Sequence, residues 1–310
     1  MALDEATAAF LTAMAQSGVK PMQEMTPEEA RAAFAVLRDL YGPGPDVAKT
    51  YDVRLPTADG HNFSLRVLIP AGDVRALIVY YHGGGWVVGN IDEYDNLART
   101  LATGLHSAVI NVDYRLAPEH RYPAAADDAW TALTWAAGQM AEIAGGPVPL
   151  VVMGDSAGGN LSAVVAQKAR AAGGPGLAAQ VLIYPVTDAD LDNGTYIDPE
   201  NQLMLTRDGM IWFWDHYAPD LASRANPDAS PLQAASVAGL APAIVLTAEH
   251  DVLREEGEAY ADRLREAGGL LAHRRFAGQM HGFFPMVNLL PGSADGIAYV
   301  TDQLGRHLGA

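Results

Sequence analysis

Short apolar runs alternate with segments of helical pattern along most of the chain. The runs cover residues 76–81, 107–112, 149–153, 180–184 and 243–248. Parallel strands that are covered by helices on both faces have this pattern, because neither side of such a strand meets water. The alternation therefore predicts an α/β fold with a mostly parallel central sheet.

Three further segments bring the predicted sheet to eight strands. Residues 51–55 and 63–69 alternate polar and apolar positions around a turn-rich stretch, which is typical of an antiparallel pair. Residues 271–276 have a weaker strand pattern, and we expect them to form a strand at the edge of the sheet.

Two regions fall outside the alternation and are predicted to form a helical cap. Residues 1–45 have helical patterns, and Thr26 begins one helix with a capping box. Residues 187–242 form a long insertion after a strand, with an aromatic-rich helical stretch at 210–214. An insertion there lies over the sheet edge where open α/β sheets bind ligands. We expect one domain over 1–310, with a cap built from about 1–45 and 187–225.

Composition narrows the class of protein and its partners. The 310 residues are 49% hydrophobic and carry a formal net charge of −17, so we expect a sizeable core and no nucleic-acid partner. Cysteine is absent, which excludes disulfides and thiol chemistry. The N-terminus has no basic signal-peptide region, and no apolar run approaches 18 residues. We therefore expect a soluble, cytoplasmic protein without a membrane partner.

The stretch GDSAG at 154–158 is the strongest candidate for chemistry. It follows the strand pattern at 149–153 and precedes a helical pattern, and a G-x-S-x-G sequence at such a corner is a nucleophile elbow. Gly154 and Gly158 relieve crowding in the tight turn, so that Ser156 projects at the sheet edge. The backbone N–H of Ala157, at the start of the helix, is then free to bind an oxyanion.

A second glycine-rich stretch, HGGGWVVG at 82–89, supplies further oxyanion donors. It follows the strand at 76–81, and its bare backbone lets N–H groups approach a bound carbonyl. Gly83, Gly85 and Gly89 also resemble the spacing of a dinucleotide fingerprint, with Asp113 as its acidic partner. Against that alternative, Trp86 is bulky where a pyrophosphate needs close approach, and Ser156 is left unexplained. We expect His82 to anchor the loop by a hydrogen bond.

Chain order selects the partners of the serine. Enzymes with this elbow carry serine, acid and histidine in that order. Asp251 follows the strand at 243–248, and we expect the nearby Glu249 to brace the turn. Among the later histidines, His281 lies in a loop just beyond the last predicted strand. The sequence thus predicts Ser156 as nucleophile, His281 as base and Asp251 as the residue that orients the imidazole.

With these residues assembled, the chain resembles the bacterial hormone-sensitive-lipase-like carboxylesterases, an α/β-hydrolase family. The matching stretches are HGGGW (82–86), VDYRLAPEHRYPAAADDA (112–129), GDSAGGNL (154–161), SP (230–231), AEHDVLREEG (248–257) and MHGF (280–283). Two positions depart from the family pattern. Val252 stands where members commonly have proline after the aspartate, and Met280 stands where isoleucine or valine often precedes the histidine. Neither change removes a reactive group.

The resemblance implies hydrolysis of short- to medium-chain carboxylic esters, small molecules that need no cofactor. It points to Gly84 and Gly85 as the oxyanion donors of the first loop, and homodimers are common in the family. The acyl pocket is expected to include Trp86, Tyr184, Trp212 and Phe213, each of which has core packing as an equally weighted alternative. No HExxH sequence or histidine pair indicates a metal site.

Two other functions remain compatible with this pattern. A small-molecule receptor of the same fold is one, although such relatives usually lose a member of the serine–histidine–aspartate set. An amidase, deacetylase or thioesterase is the other, because the same residues serve every acyl transfer.

Overall fold

A computed structural model describes residues 2–309, apart from the side chain of Leu37. The strands are β1 (Lys49–Pro56), β2 (Asn62–Ile69), β3 (Leu77–Tyr81), β4 (Ala108–Asp113), β5 (Leu150–Asp155), β6 (Ala179–Ile183), β7 (Ala243–His250) and β8 (Leu270–Met280). The helices are α1 (Glu5–Gln16), α2 (Pro27–Tyr41), α3 (Asp95–Gly104), α4 (Ala124–Ala144), α5 (Ala157–Ala172), α6 (Gly194–Ile197), α7 (Arg207–Tyr217), α8 (Leu221–Arg224), α9 (Arg254–Glu266) and α10 (Pro291–Leu308). Short 3-10 turns cover Met22–Glu24, Pro199–Asn201 and Pro231–Gln233.

The strands form one eight-stranded sheet in the order β1-β2-β4-β3-β5-β6-β7-β8. β1 and β2 pair antiparallel, β2 runs antiparallel to β4, and every pairing from β4 to β8 is parallel. The mostly parallel sheet, its antiparallel pair and the edge strand at 271–276 are therefore confirmed. Because β3 to β8 run in one direction, their carboxyl ends meet along a single edge of the sheet.

Helices cover both faces of the sheet, as the continuous apolar runs require. Along β3, Leu77 and Val79 pack with residues of α4 and α5, whereas Ile78 and Tyr80 pack with residues of α3 and α10. Every residue of β3, β5, β6 and β7 is buried. None of the helices within residues 2–309 is both long enough and apolar enough to cross a bilayer.

The N-terminal segment and the long insertion contact each other. α2 begins with the predicted capping box, in which Thr26 and Glu29 each bind the other's backbone N–H. The aromatic stretch at 210–214 is helical and lies within α7. α7 contacts the turn Met22–Glu24, so the two predicted parts of the cap touch each other.

Candidate active site

Ser156 occupies the sharp corner between β5 and α5. Its backbone has φ 56° and ψ −118°, a region that a residue with a Cβ adopts only when its surroundings hold it there. A Cβ on Gly158 would clash with the carbonyl oxygen of Tyr81, and one on Gly154 would clash with that of Gly158. Both glycines are thus required by close backbone packing, and this packing fixes the corner that presents the serine.

The structure brings Ser156, His281 and Asp251 into one hydrogen-bonded line. The His281 Nε2 lies 3.0 Å from the Ser156 Oγ, and its Nδ1 lies 2.8 Å from the Asp251 Oδ2. This network assigns the proton to Nδ1, so that Nε2 accepts from the serine hydroxyl. The three side chains follow β5, β8 and β7, whose carboxyl ends share one edge of the sheet.

Asp251 is held rigidly beneath the histidine. Its side chain is fully buried, and its second oxygen accepts the backbone N–H of Leu253 at 2.9 Å. Glu249, two residues earlier, accepts the backbone N–H of Gly278 at 2.7 Å and so joins β7 to β8, while its role in bracing the turn stays a prediction. The turn after β7 and the segment that carries His281 are therefore tied together next to the reacting groups.

Tyr184 packs against the imidazole from inside the protein. The ring centroids of Tyr184 and His281 lie 4.6 Å apart with the planes at 56°, and Tyr184 is only 1% exposed. Its backbone φ of 33° directs the ring toward the site immediately after β6. Tyr184 thus lies against the base, and its predicted role as a wall of the substrate pocket stays a prediction.

The glycine loop after β3 leaves two backbone donors without acceptors. The N–H of Gly83 donates to the Asp155 Oδ1 at 3.0 Å, whereas those of Gly84 and Gly85 have no acceptor within the described residues. The N–H of Ala157, at the first position of α5, is likewise unpaired among residues 2–309. These are the donors that the sequence assigned to an oxyanion.

Left-handed backbone angles explain why the loop needs glycine. Gly84 and Gly85 have φ of 107° and 56°. A Cβ on Gly84 would clash with the carbonyl oxygen of Val88, and one on Gly85 would clash with the ring of Phe213. Phe213, from α7, therefore lies directly against Gly85, and its predicted contact with substrate stays a prediction.

Asp155 lies within the candidate site, although the sequence did not single it out. Its carboxylate accepts from the hydroxyls of Tyr80 at 2.7 Å and Tyr94 at 3.2 Å, as well as from Gly83. Burial raises the pKa of Asp155 to about 6, against the hydrogen bonds, which lower it. A carboxylate within the continuously buried strand β5 was the signal that could have found it. Asp155 joins the elbow to the oxyanion loop.

His82 anchors the start of the same loop. Its Nδ1 donates to the Gly83 carbonyl at 2.7 Å, and its ring stacks on Tyr114 with centroids 4.3 Å apart. Burial lowers the pKa of His82 to about 4, so the ring is neutral at pH 7. The hydrogen bond predicted for this histidine is present.

The other predicted pocket residues belong to α7 and to the aromatic packing beneath it. Trp86 is fully buried and stacks on Tyr217 with centroids 4.1 Å apart and planes at 9°. Trp212 is partly exposed, and its indole N–H donates to the Met25 carbonyl at 3.2 Å. Their roles toward substrate remain predictions, while their packing links the loop, α7 and the N-terminal segment.

The geometry of the glycine loop argues against the alternative of a dinucleotide site. A Cβ on Gly89 would lie 2.7 Å from the His82 Nδ1, so His82 fills the space at Gly89 just as Phe213 does at Gly85. The loop leads into turns rather than directly into a helix, because α3 begins only at Asp95. A pyrophosphate on this loop would therefore not meet a helix N-terminus directly after the glycines, as the fingerprint requires. Residues 2–309 also contain no cluster of three histidine or carboxylate side chains arranged for a metal.

Comparisons with known proteins agree with this geometry. A family model described as the alpha/beta hydrolase fold matches residues 78–285. Carboxylesterase NlhH of Mycobacterium tuberculosis is 42% identical over 241 residues, which are 77% of this chain and 76% of that protein. Ethyl acetate hydrolase of Pseudomonas putida is 36% identical over 298 residues, 94% of this chain and 93% of that protein. The crystal structure of a serine-to-alanine mutant of LAE6, an alpha/beta hydrolase enzyme from the metagenome of Lake Arreo, superposes with a TM-score of 0.92 at 34% identity and covers 99% of both chains.

Proposed function

The chain belongs to the hormone-sensitive-lipase-like carboxylesterases of the α/β-hydrolase fold, and from that premise we propose that it hydrolyses short- to medium-chain esters through an acyl-enzyme on Ser156. One observation carries the proposal. The Ser156 hydroxyl lies 3.0 Å from a histidine whose other nitrogen binds a buried aspartate. Nucleophile, base and orienting carboxylate are the three groups that acyl transfer to a serine requires.

Acylation proceeds from this line of side chains. The Ser156 Oγ attacks the ester carbonyl carbon as its proton passes to the His281 Nε2. The carbonyl oxygen becomes an oxyanion and accepts hydrogen bonds from the free N–H groups of Gly84, Gly85 and Ala157. Asp251 stays ionised and stabilises the imidazolium. When the intermediate collapses, the C–O bond to the alcohol breaks and His281 gives the proton to the leaving alkoxide.

Deacylation repeats the same steps with water. His281 takes a proton from a water molecule as its oxygen attacks the acyl carbon of the ester on Ser156. The second tetrahedral intermediate uses the same donors, and its collapse returns the proton to the Ser156 Oγ and releases the carboxylic acid. Atoms and charge balance with water as the sole co-reactant.

The proposed cap favours substrates with small acyl groups. We propose that residues 1–45 and 187–225 form this cap, with α7 as its inner wall. Phe213 of α7 lies against Gly85, so little space remains beside the oxyanion loop. A relative along nearly the whole chain is named for ethyl acetate, an ester with a two-carbon acyl group. Both observations support short chains over long ones.

Hydrolysis of p-nitrophenyl esters from acetyl to palmitoyl tests the proposal, with the wild type assayed beside Ser156→Ala. We expect kcat/KM to be highest for short chains, and a fall of about 10⁴-fold or more in the variant. The matching p-nitroanilides separate an esterase from an amidase. The proposal fails if folded Ser156→Ala keeps its esterase activity. It also fails if the wild type prefers palmitoyl esters or cleaves only the anilides.

A further inference from the structure

Arg31 reaches from the cap helix α2 to the backbone behind the oxyanion loop. Its Nε donates to the Val87 carbonyl at 2.8 Å, and its Nη2 donates to the Ala117 carbonyl at 2.9 Å. The rest of the guanidinium makes a two-point ion pair with Glu119, at 2.8 and 2.7 Å. A single side chain of the N-terminal segment thus binds two separate stretches of the main domain.

The carbonyl oxygens of Val87 and Ala117 depend on Arg31 for their hydrogen bonds. Val87 and Ala117 are fully buried, and the guanidinium supplies the hydrogen bond that each carbonyl oxygen accepts within residues 2–309. Buried carbonyl groups that lose their donor are costly, because water does not reach them to replace it. Without the guanidinium, we expect the backbone at Val87 to move toward another donor.

The backbone next to Val87 is the part of the loop that needs support. Gly84, Gly85 and Trp86 adopt left-handed angles in succession, with φ of 107°, 56° and 61°. Trp86 has a Cβ, so it keeps this conformation only while its neighbours enforce it. One constraint is the N–H of Ala117, which donates to the Trp86 carbonyl at 2.8 Å. Arg31 binds the next carbonyl along the loop and the carbonyl of Ala117 itself.

We propose that Arg31 is a positioning residue for ester hydrolysis, which holds the Gly84 and Gly85 N–H groups in line with the oxyanion by fixing the backbone at Val87 and Ala117. The inference rests on the proposed acyl-enzyme mechanism. It gives the N-terminal cap helix a part in stabilising the transition state, in addition to covering the substrate. The arginine does not touch the substrate, so its effect is confined to the geometry of the donors.

The test compares two matched inhibitors, of which one adds to the serine and forms an oxyanion and the other does not. A short-chain trifluoromethyl ketone adds to the serine and places an oxyanion in the donor site, whereas the matching methyl ketone binds as a ground-state ester mimic. For Arg31→Met we expect kcat and the affinity for the trifluoromethyl ketone to fall by about tenfold or more, because donor alignment matters most for the oxyanion. The inhibition constant of the methyl ketone is expected to stay within about twofold.

Three further variants separate positioning from general damage. Arg38→Met makes the same change on the same helix at an exposed arginine that pairs with Asp39, and we expect wild-type constants for it. Arg31→Lys keeps a charged donor and is expected to recover part of the trifluoromethyl ketone affinity. Glu119→Gln removes the ion pair but keeps both carbonyl bonds, and we expect it to stay within about twofold of wild type. Thermal unfolding checks that each variant is folded.

The outcomes distinguish this inference from the mechanism on which it rests. If wild-type activity does not depend on Ser156, the proposed function itself fails. If activity depends on Ser156 but Arg31→Met weakens both ketones equally, or neither, the positioning role is wrong. A loss in Glu119→Gln as large as that in Arg31→Met would assign the effect to the ion pair and would overturn the carbonyl argument.

Discussion

At the scale of single residues, the site is built from backbone angles that most side chains avoid. Ser156, Trp86 and Tyr184 have φ of 56°, 61° and 33°. Each such residue costs about 1–3 kcal/mol and persists only where packing holds it. In the proposed mechanism Ser156 is the nucleophile, Trp86 follows the two donor glycines and Tyr184 contacts the base. Three of the five positive-φ residues other than glycine within residues 2–309 therefore lie at the proposed site, and the other two are His106 and Asn288.

Gly85→Ala tests whether the donor loop needs a bare backbone. The added Cβ would clash with the Phe213 ring at a left-handed φ, so the loop or α7 must move. We expect kcat/KM for a p-nitrophenyl acetate substrate to fall by about 10²-fold or more, which is the usual cost of a lost oxyanion donor. Gly138→Ala in α4, where a Cβ meets nothing within 4 Å, is the matched control and should keep full activity. Equal rates for both variants would contradict the assignment.

Asp155 makes the stability of the protein depend on pH. Burial raises the pKa of Asp155 to about 6 from 3.8, so the folded state holds this proton more tightly than the unfolded chain. Both states are protonated well below pH 3.8, and the unfolded chain releases its proton first as the pH rises. The contribution of this carboxyl to the free energy of unfolding therefore falls by about 3 kcal/mol between about pH 3 and pH 7, most of it above pH 4.

Urea denaturation of the wild type and Asp155→Asn at pH 4, 5, 6 and 7 checks this shift. The variant cannot titrate at this position, so the wild type should lose stability relative to it as the pH rises. Asp73→Asn, which removes one carboxylate from an exposed position, is the matched control. A constant difference between the wild type and Asp155→Asn across the range would show that burial does not govern this carboxyl.

At the scale of elements, α7 contacts both the N-terminal segment and the glycine loop after β3. Phe213 lies over Gly85, and Trp212 donates to the carbonyl of Met25 in the N-terminal segment. Because Trp212 and Phe213 are adjacent in α7, this one helix contacts both the N-terminal segment and the loop. A change in how α7 packs on the N-terminal segment is thus expected to alter the space beside the loop.

Trp212→Phe tests this connection. The substitution removes the 3.2 Å hydrogen bond to Met25 but keeps an aromatic ring beside Phe213 and His216. We expect the KM values for butyryl and hexanoyl esters to change by about threefold relative to acetyl, with kcat for acetyl nearly unchanged, because the loss affects binding space and spares the reacting groups. Trp135→Phe on α4 is the control. An unaltered chain-length profile would show that Trp212 does not contribute to the chain-length preference proposed for the cap.

The sequence predicted most of these elements but not how they pack on one another. Continuous apolar runs predicted the parallel strands, and Thr26 predicted the start of α2. Both predictions succeeded because each depends only on residues close together in the chain. The contact between Phe213 and Gly85 and the reach of Arg31 to Val87 join residues far apart in the chain. Such pairs depend on the tertiary arrangement, which periodicity does not encode. Asp155 was overlooked for a similar reason, since its partners come from other elements.

At the scale of the whole molecule, the chain carries a formal net charge of −17. Many of its ion pairs are exposed, for example Arg38 with Asp39 and Arg306 with Asp302. Exposed ion pairs contribute little to the free energy of unfolding. We therefore expect repulsion among the excess carboxylates to outweigh these ion pairs at neutral pH. The cytoplasmic location and the homodimer expected from the sequence stay predictions.

Salt is expected to stabilise the folded protein at pH 7.5. Raising NaCl from 20 to 500 mM screens the repulsion, and relief of about 1 kcal/mol raises the Tm of a chain of this size by about 2 °C. Differential scanning calorimetry at both concentrations measures the shift. Near the calculated isoelectric point of 4.7 the gain should vanish. A Tm that falls with salt at pH 7.5 would mean that attractive pairs dominate.

The identity of the nucleophile is the central claim, and covalent labelling tests it most directly. The wild type and Ser156→Ala are incubated with diethyl p-nitrophenyl phosphate, which phosphorylates an activated serine, and are then examined by intact-mass spectrometry and peptide mapping. We predict one adduct per chain on Ser156, with activity lost in proportion to labelling, and no adduct on the variant. Stoichiometric labelling of another residue, or full activity in a protein labelled at Ser156, would contradict the mechanism.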